Sequence, residues 1–310
     1  VTHLTGSALR RLRQSAGLSL RQLATIVHYS PSYLHDIETG RRQPSTAVAA
    51  RITTHLGTWD DRLTWAAQHP TRVDTATLDL LTTTLADLRR LEDTDGPTTA
   101  LPAARAHLTL TATLADTGPD RHRTALIDLT GQWQQLVGWL HAATGDRAGA
   151  SAHYGHALAA ALEVDRPDLA ATALSMRGHL AWQARRPGPL ISLTQAALRQ
   201  PAGTAVRVVG LQQLARGHAL AGRRVEAEAA MGEADDLAEQ VTEAPPWLYF
   251  HTGPYLEMQR GLVCLLTGRP EAAAEAISAG LAGLDAAGAE WTDTWRGYLA
   301  AAVAGGFADR

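Results

Sequence analysis

The 310-residue chain contains no lysine and no asparagine, so all 28 of its basic residues are arginine. Any contact to an anion must therefore come from guanidinium groups, backbone N–H groups or hydroxyls. With Ala, Gly and Thr abundant, this usage reads as high-GC coding bias rather than as a functional signal. The one cysteine, Cys264, excludes an internal disulfide. Leu262, Val263, Leu265 and Leu266 surround it, which predicts a buried structural thiol. No apolar run reaches the roughly 18 residues of a membrane span, and the N-terminus carries no signal-peptide pattern. A cytoplasmic protein with no membrane partner is expected. There is no phosphate-binding glycine loop, metalloprotease motif or nucleophile elbow, so neither a cofactor nor enzymatic activity is expected. His153 and His156 stand three apart with His141 upstream, but they lack a third convergent ligand and no metal is expected.

The 45% apolar content suffices for real cores, and the length allows one large domain or two ordinary ones. Charge is unevenly spread. Residues 1–56 hold seven arginines against Asp36 and Glu38, a net +5; the whole chain carries −3, so the remainder carries −8. A basic head on an acidic body suits a DNA reader whose body stays off the DNA.

Residues 19–40 read SLRQLATIVHYSPSYLHDIETG. Ser19 and Gln22 have the spacing of a capping box. Leu20, Leu23, Ala24 and Val27 then share one helical face. His28 and Tyr29 make a short turn. Ser30 caps a second helix, with Pro31 at its first position, where the missing N–H is harmless. Leu34 and Ile37 supply its apolar face, and Gly40 ends it. Two short helices around a tight turn predict a helix-turn-helix whose second helix reads the major groove. Leu9, Leu12 and Arg13 lie on a preceding helix closed by Gly17. Pro44-Ser45 opens a following helix with Val48, Ile52 and Leu56, and Thr58 to Ala67 supplies a fifth with Trp59, Leu63 and Ala66 inward.

These five helices resemble the XRE (phage-repressor-like) family of DNA-binding domains. The carrying residues are Leu12-Arg13, Gly17-Leu18-Ser19, Gln22-Leu23-Ala24, Ser30, Tyr33-Leu34, Ile37-Glu38, Gly40-Arg41-Arg42 and Pro44-Ser45. The resemblance implies base reading by Ser32, Tyr33 and Asp36, with His35 nearby. Ser32 is a weak specifier, because a hydroxyl both donates and accepts. Asp36 suits a cytosine amino group. Tyr33 is suited to a thymine methyl, to a phosphate, or to partial packing. Ser19, Arg21, Arg41 and Arg42 are expected to hold the DNA backbone and set register. Arg13 and Glu38 match a structural ion pair of the family. One such domain binds weakly, so a homodimer on the two half-sites of a palindromic double-stranded operator is expected.

His69-Pro70-Thr71 breaks the fifth helix. This gives three parts: a DNA-binding domain at 1–69, a linker at 70–74 and a helical body at 75–310. Residues 75–92 form a helix whose Leu78, Leu81, Leu85 and Leu88 pack on the body or on a partner's copy. Asp95-Gly96-Pro97 and Thr117-Gly118-Pro119 bracket another. An internal repeat follows. Gly138, Gly145, Ala150, Tyr154 and Ala157 stand at offsets of 0, 7, 12, 16 and 19. The offsets recur at Ala215, Gly222, Ala227, Met231 and Ala234, and at Gly261, Gly268, Ala273, Ile277 and Gly280. A weaker copy runs through Gly178, Arg185, Leu190, Thr194 and Ala197. Small residues at these places let paired antiparallel helices approach closely, and the second marks the turn. The pattern resembles the tetratricopeptide repeat, although the copies stand about 37 to 46 residues apart rather than the usual 34. The expected fold is all-α: a five-helix helix-turn-helix domain followed by a TPR-like α-solenoid, capped by a helix from Trp291 to Ala304.

The TPR resemblance implies that the first helix of each repeat lines a concave groove. Its inward positions are Gln135 and Trp139, then Ser175, His179 and Trp182, then Gln212 and Arg216, then Tyr255 and Met258. Such a groove suits a small-molecule or peptide effector, with Arg216 meeting a carboxylate. Trp247 to His251 follows two prolines and is either a lid over the groove or filler between repeats. The whole layout resembles the RRNPP group of Gram-positive peptide-pheromone receptors and many actinobacterial regulators. It implies a dimeric transcription factor whose DNA binding an effector modulates. The alternative is an interaction adaptor that holds a partner protein and places it on DNA.

Overall fold

The computed structural model describes residues 5–15, 18–45, 48–49, 51–52, 59–284 and 292–306. Gly17, Leu56, Thr58 and Trp291, and the side chains of Leu12 and Trp59, lie outside the described residues. The chain divides into two compact units, Val1–Val73 and Asp74–Arg310. Among the described residues all regular structure is helical, and no helix is long and apolar enough to cross a membrane.

The first unit contains α1 (Gly6–Ser15), α2 (Leu20–Val27), α3 (Pro31–Glu38), helical residues at 48–49 and 51–52, and α4 (Trp59–Gln68). Its core is Leu9, Leu23, Ala24, Val27, Leu34, Ile37, Val48 and Ile52. Each large side chain buried this way contributes about 1.5–3 kcal/mol. Local chemistry fixes where the helices begin. The Gln22 amide donates to Ser19 Oγ at 3.2 Å while the Ser19 amide donates to Gln22 Oε1 at 2.8 Å, completing the capping box. Ser30 Oγ accepts from the Tyr33 amide at 3.1 Å. Between the two helices His28 takes φ +56°. That left-handed residue lets the Tyr29 amide reach back to the Ala24 carbonyl, at 3.1 Å, and reverses the chain. Arg13 clamps the far end of α3: its Nε and Nη2 meet Glu38 at 2.6 and 2.9 Å, and Nη1 donates to the Leu18 carbonyl at 2.8 Å. Glu38 is buried, so this bidentate pair is structural, as the XRE resemblance implies.

The second unit begins with α5 (Thr75–Asp95) and α6 (Pro97–Thr117). Four helical hairpins follow: α7 (Asp120–Ala143) with α8 (Arg147–Glu163), α9 (Pro167–Gln183) with α10 (Pro187–Leu198), α11 (Thr204–Leu220) with α12 (Arg224–Ala238), and α13 (Gly253–Leu266) with α14 (Pro270–Ala282). α15 (Thr292–Val303) packs on α14. The 3-10 turn Pro70–Arg72 stands just before this unit. Leu81, Leu85 and Leu88 of α5 are buried within the chain itself, while Leu78 is half-buried, so most of that stripe packs on the body.

The repeat offsets acquire physical meaning here. The second position is the left-handed residue that ends each first helix: Gly145, Gly222 and Gly268 have φ of +88°, +73° and +75°, and Arg185 has +53°. After each, the next amide returns to the carbonyl five residues back, as Asp146 does to His141 at 2.8 Å. The first position lies where the paired helix comes closest. A Cβ on Gly138 would sit 2.6 Å from the Tyr154 ring, and one on Gly261 would meet Ile277 at 2.5 Å. Ala150, Leu190, Ala227 and Ala273, at the third position, are fully buried. Gly138→Ala forces the α7–α8 pair apart and is expected to destabilise the chain by about 1–3 kcal/mol, read as a lowered thermal midpoint. An unchanged midpoint would contradict close approach as the reason for this glycine.

Candidate functional site

Two sites emerge, one in each unit. In the first, α3 exposes Ser32 and His35 to solvent and Asp36 partly so. Ser19, Arg21, Arg41 and Arg42 are exposed. Ser19 Oγ is occupied as an acceptor by the cap, which leaves its O–H to donate. Arg41 stands 4.0 Å from Asp36, a solvated pair of small energetic weight. Tyr33 differs from the others. Its half-buried ring packs against the core, stacks on Tyr29 at 5.5 Å and lies under the Arg42 guanidinium at 5.1 Å. Packing thus holds the Tyr33 ring and, through it, the arginine above. Arg51 lies over Tyr29 at 5.8 Å.

The second site is a cavity of about 1030 Å³ in the body. Gln135, Trp139, Ser175, His179, Trp182, Gln212, Arg216 and Tyr255 all line it. They come from α7, α9, α11 and α13, the first helix of each hairpin. Met258 does not reach it. It is fully buried and packs with Leu262 and Trp295, toward Gly280 of the paired helix. The physical reason is the helical period: from Tyr255 the cavity face advances four residues, to Gln259, whereas a step of three rotates Met258 onto α14.

The sequence reading missed several wall residues. Arg89, Glu92 and Asp93 of α5 line the cavity, as do Trp295 and Tyr298 of α15. Neither helix belongs to a repeat copy, so the register could not include them. A signal existed in α5: Leu81, Leu85 and Arg89 follow at four-residue steps, which puts a cation on a buried stripe. The Trp247–His251 stretch both fills and lines. Trp247 is buried and donates from Nε1 to Thr172 Oγ1 at 3.0 Å. The Tyr249 hydroxyl reaches Asp93 Oδ2 at 2.6 Å and the Arg89 carbonyl at 3.2 Å, tying the stretch to α5.

The cavity's electrostatics centre on two arginines. Arg216 is buried; its Nη2 donates to Gln213 Oε1 at 3.1 Å, its guanidinium lies 5.6 Å from the Trp182 ring, and its Nε has no partner. Arg89 is also buried, with Nη2 unpartnered, and burial pushes its pKa down to about 10. Burial, then the Arg216 charge, depresses His179 to about 3 and His251 to about 4. Both histidines are therefore neutral at pH 7. His251 Nε2 lies 3.2 Å from Gln212 Oε1 and serves as the donor. Elsewhere in the body, His141 and His153 stack at 5.1 Å and His141 Nδ1 meets Asp146 at 2.8 Å. Among the described residues no group of three His, Cys, Asp or Glu is placed to hold a metal.

Acid follows from these histidines. The unfolded chain binds their protons near pH 6.5, while the folded chain refuses them until about pH 4 for His251 and pH 3 for His179. The unfolded state thus holds more protons in between, and stability falls as pH drops from 6.5 toward 4. His179→Gln should flatten that slope by up to about 1.4 kcal/mol per pH unit, measured by urea unfolding across pH. An identical slope in the variant would contradict a buried neutral His179.

Comparison with known proteins agrees with the first unit. Residues 5–66 match the family model described as a helix-turn-helix domain. Over 56 residues the chain is 38% identical to the transcriptional regulator ClgR of Mycobacterium tuberculosis, covering 18% of this chain and 50% of that protein. The chain thus spans about half the length of the curated relatives it matches. Among solved structures, it is similar to Bacillus thuringiensis PlcR in complex with the peptide PapR7 and DNA, at 12% identity and TM-score 0.41 over 97% of this chain and 99% of that one. It is also similar to the apo competence regulator ComR of Streptococcus vestibularis, at 13% identity and TM-score 0.40 over 96% and 97%. A third is BtubC from P. vanneervenii, at 17% and 0.45 over 77% and 94%. Residues 5–66 thus match a helix-turn-helix domain, the geometry of α1, α2 and α3 agrees with that match, and the described residues of the second unit form paired helices.

Proposed function

We propose that the protein is a sequence-specific DNA-binding transcriptional regulator whose body binds an effector that modulates DNA binding. The observation that carries the DNA-binding reading is the exposed face of α3. Ser32, His35 and Asp36 face solvent there, and Arg21, Arg41 and Arg42 are exposed in the same small unit. Base contacts belong to Ser32, His35 and Asp36, with Tyr33 at their margin holding Arg42. Backbone contacts belong to Ser19, Arg21, Arg41 and Arg42. The active form is a homodimer, because one small domain gives too little interface for tight binding and two give a symmetric reader of a palindrome.

The body's role rests on its cavity. Its volume lies near the upper end of the range for small-molecule sites. An occupant there touches several repeats together. Repeats in a solenoid contact only their neighbours, so bridging them sets the pitch of the array. The effector shifts DNA binding to the extent that it binds one pitch better than the other. A cavity walled by aromatic side chains favours this over the adaptor reading, in which a partner protein needs an open face.

Arg41→Ala combined with Arg42→Ala should weaken binding to every duplex. It should also reduce the slope of log affinity against log salt by about 0.9 for each lost phosphate contact. A gel-shift titration at several salt concentrations measures both, and its stoichiometry should be two chains per specific duplex. An unchanged slope would contradict the backbone assignment; one chain per duplex would contradict the dimer.

A further inference from the structure

The cavity's side chains narrow the kind of effector it accepts, an inference that rests on the ligand-binding reading above. Arg216 is the first constraint. It is more than nine-tenths buried, its Nε is unpartnered, and among the described residues no carboxylate is paired with it. A buried charge left alone is strongly unfavourable. The nearby His179 and His251 contribute no negative charge to offset it. Glu92, Asp93 and Asp293 also line the cavity but none is paired with Arg216, which leaves its charge for an occupant to meet.

The walls are the second constraint. Aromatic residues make up only 5% of the chain, yet eight of its sixteen Trp, Tyr and Phe residues line this one cavity. Phe250 meets Tyr255 edge to face at 5.2 Å, Tyr255 meets Trp295 at 5.8 Å, and Trp295 meets Tyr298 at 5.6 Å. None of these pairs stacks in parallel, so flat ring faces remain for a flat guest.

The third constraint is the state of the amides. Here Gln213 is committed to the Ser175 carbonyl and to Arg216, and the Gln212 carbonyl oxygen to His251. Two buried carbonyl oxygens, on Gln135 and Gln259, are without partners and take donors from an occupant. We propose that the cavity binds a planar aromatic organic anion. Its acidic group pairs with Arg216, and hydroxyl or N–H donors turn to Gln135 and Gln259.

The test uses the full chain and the fluorescent probe 8-anilinonaphthalene-1-sulfonate. One probe should bind per cavity. 1-Naphthoate should displace it at concentrations at least about tenfold lower than its uncharged isostere 1-naphthamide, the margin expected for a charge-assisted contact. Arg216→Gln should weaken the probe and 1-naphthoate by about tenfold or more while leaving 1-naphthamide within about threefold. Arg216→Lys, which keeps the charge, should retain most of the affinity. If Arg216→Gln does not fold, the acid-to-amide ratio on the wild type and the lysine variant still decide. Equal displacement by acid and amide would overturn the anion assignment. Displacement by a random heptapeptide pool, but by no aromatic acid, would make it a peptide site and overturn the proposal. If the probe behaves as expected and the chain selects no DNA, the regulatory reading fails and the ligand class stands.

Discussion

The body depends on how closely paired helices can approach. At Gly138 and Gly261 the facing helix comes so near that even a methyl group would collide, and Ala215 at the same offset is fully buried. Close approach makes each hairpin thin and leaves its first helix free to face inward. The left-handed residues at 145, 185, 222 and 268 close the hairpins with the same backbone geometry, so successive first helices stack in step. The shared concave surface is a consequence of that repetition. A glycine placed for packing thereby sets the direction in which Trp139 and Arg216 point.

What the surface holds runs against the logic of stability. A helical array gains nothing from two buried guanidinium groups that have no carboxylate partner among the described residues, or from histidines kept neutral by burial. Natural sequences concentrate such violations where function requires them. The head obeys the opposite rule. Among the described residues its buried acid, Glu38, is met by both prongs of Arg13, and Ser32 and His35 on the outer face of α3 are exposed. The head's buried charge is paired, whereas the body's cavity holds buried polar atoms without partners.

Much of this was legible in the sequence, and the reasons are local. Capping residues, the His28-Tyr29 turn and the Leu34–Ile37 face act within a few residues of each other, so Ser19 to Gly40 announces its own fold. The repeat was legible because close packing admits only small residues at fixed offsets. Nearly all the inward positions could be carried through that register. Met258 could not, because one step of three rather than four turns a side chain from the cavity to the paired helix. Arg89, Glu92, Asp93, Trp295 and Tyr298 were hidden for another reason. They come from helices outside the repeat, brought to the cavity by tertiary packing that no local period encodes. The bond from Tyr249 to Asp93 spans 156 residues and has no trace in either segment alone.

The claim on which the rest turns is that the exposed face of α3 reads DNA as one half of a symmetric pair. The direct measurement is selection of double-stranded DNA from a random pool by the full chain, followed by sequencing of the bound fraction. The account predicts enrichment of an inverted repeat whose half-sites lie about one helical turn apart, roughly 10 base pairs centre to centre. A pool that emerges without an enriched motif would contradict it.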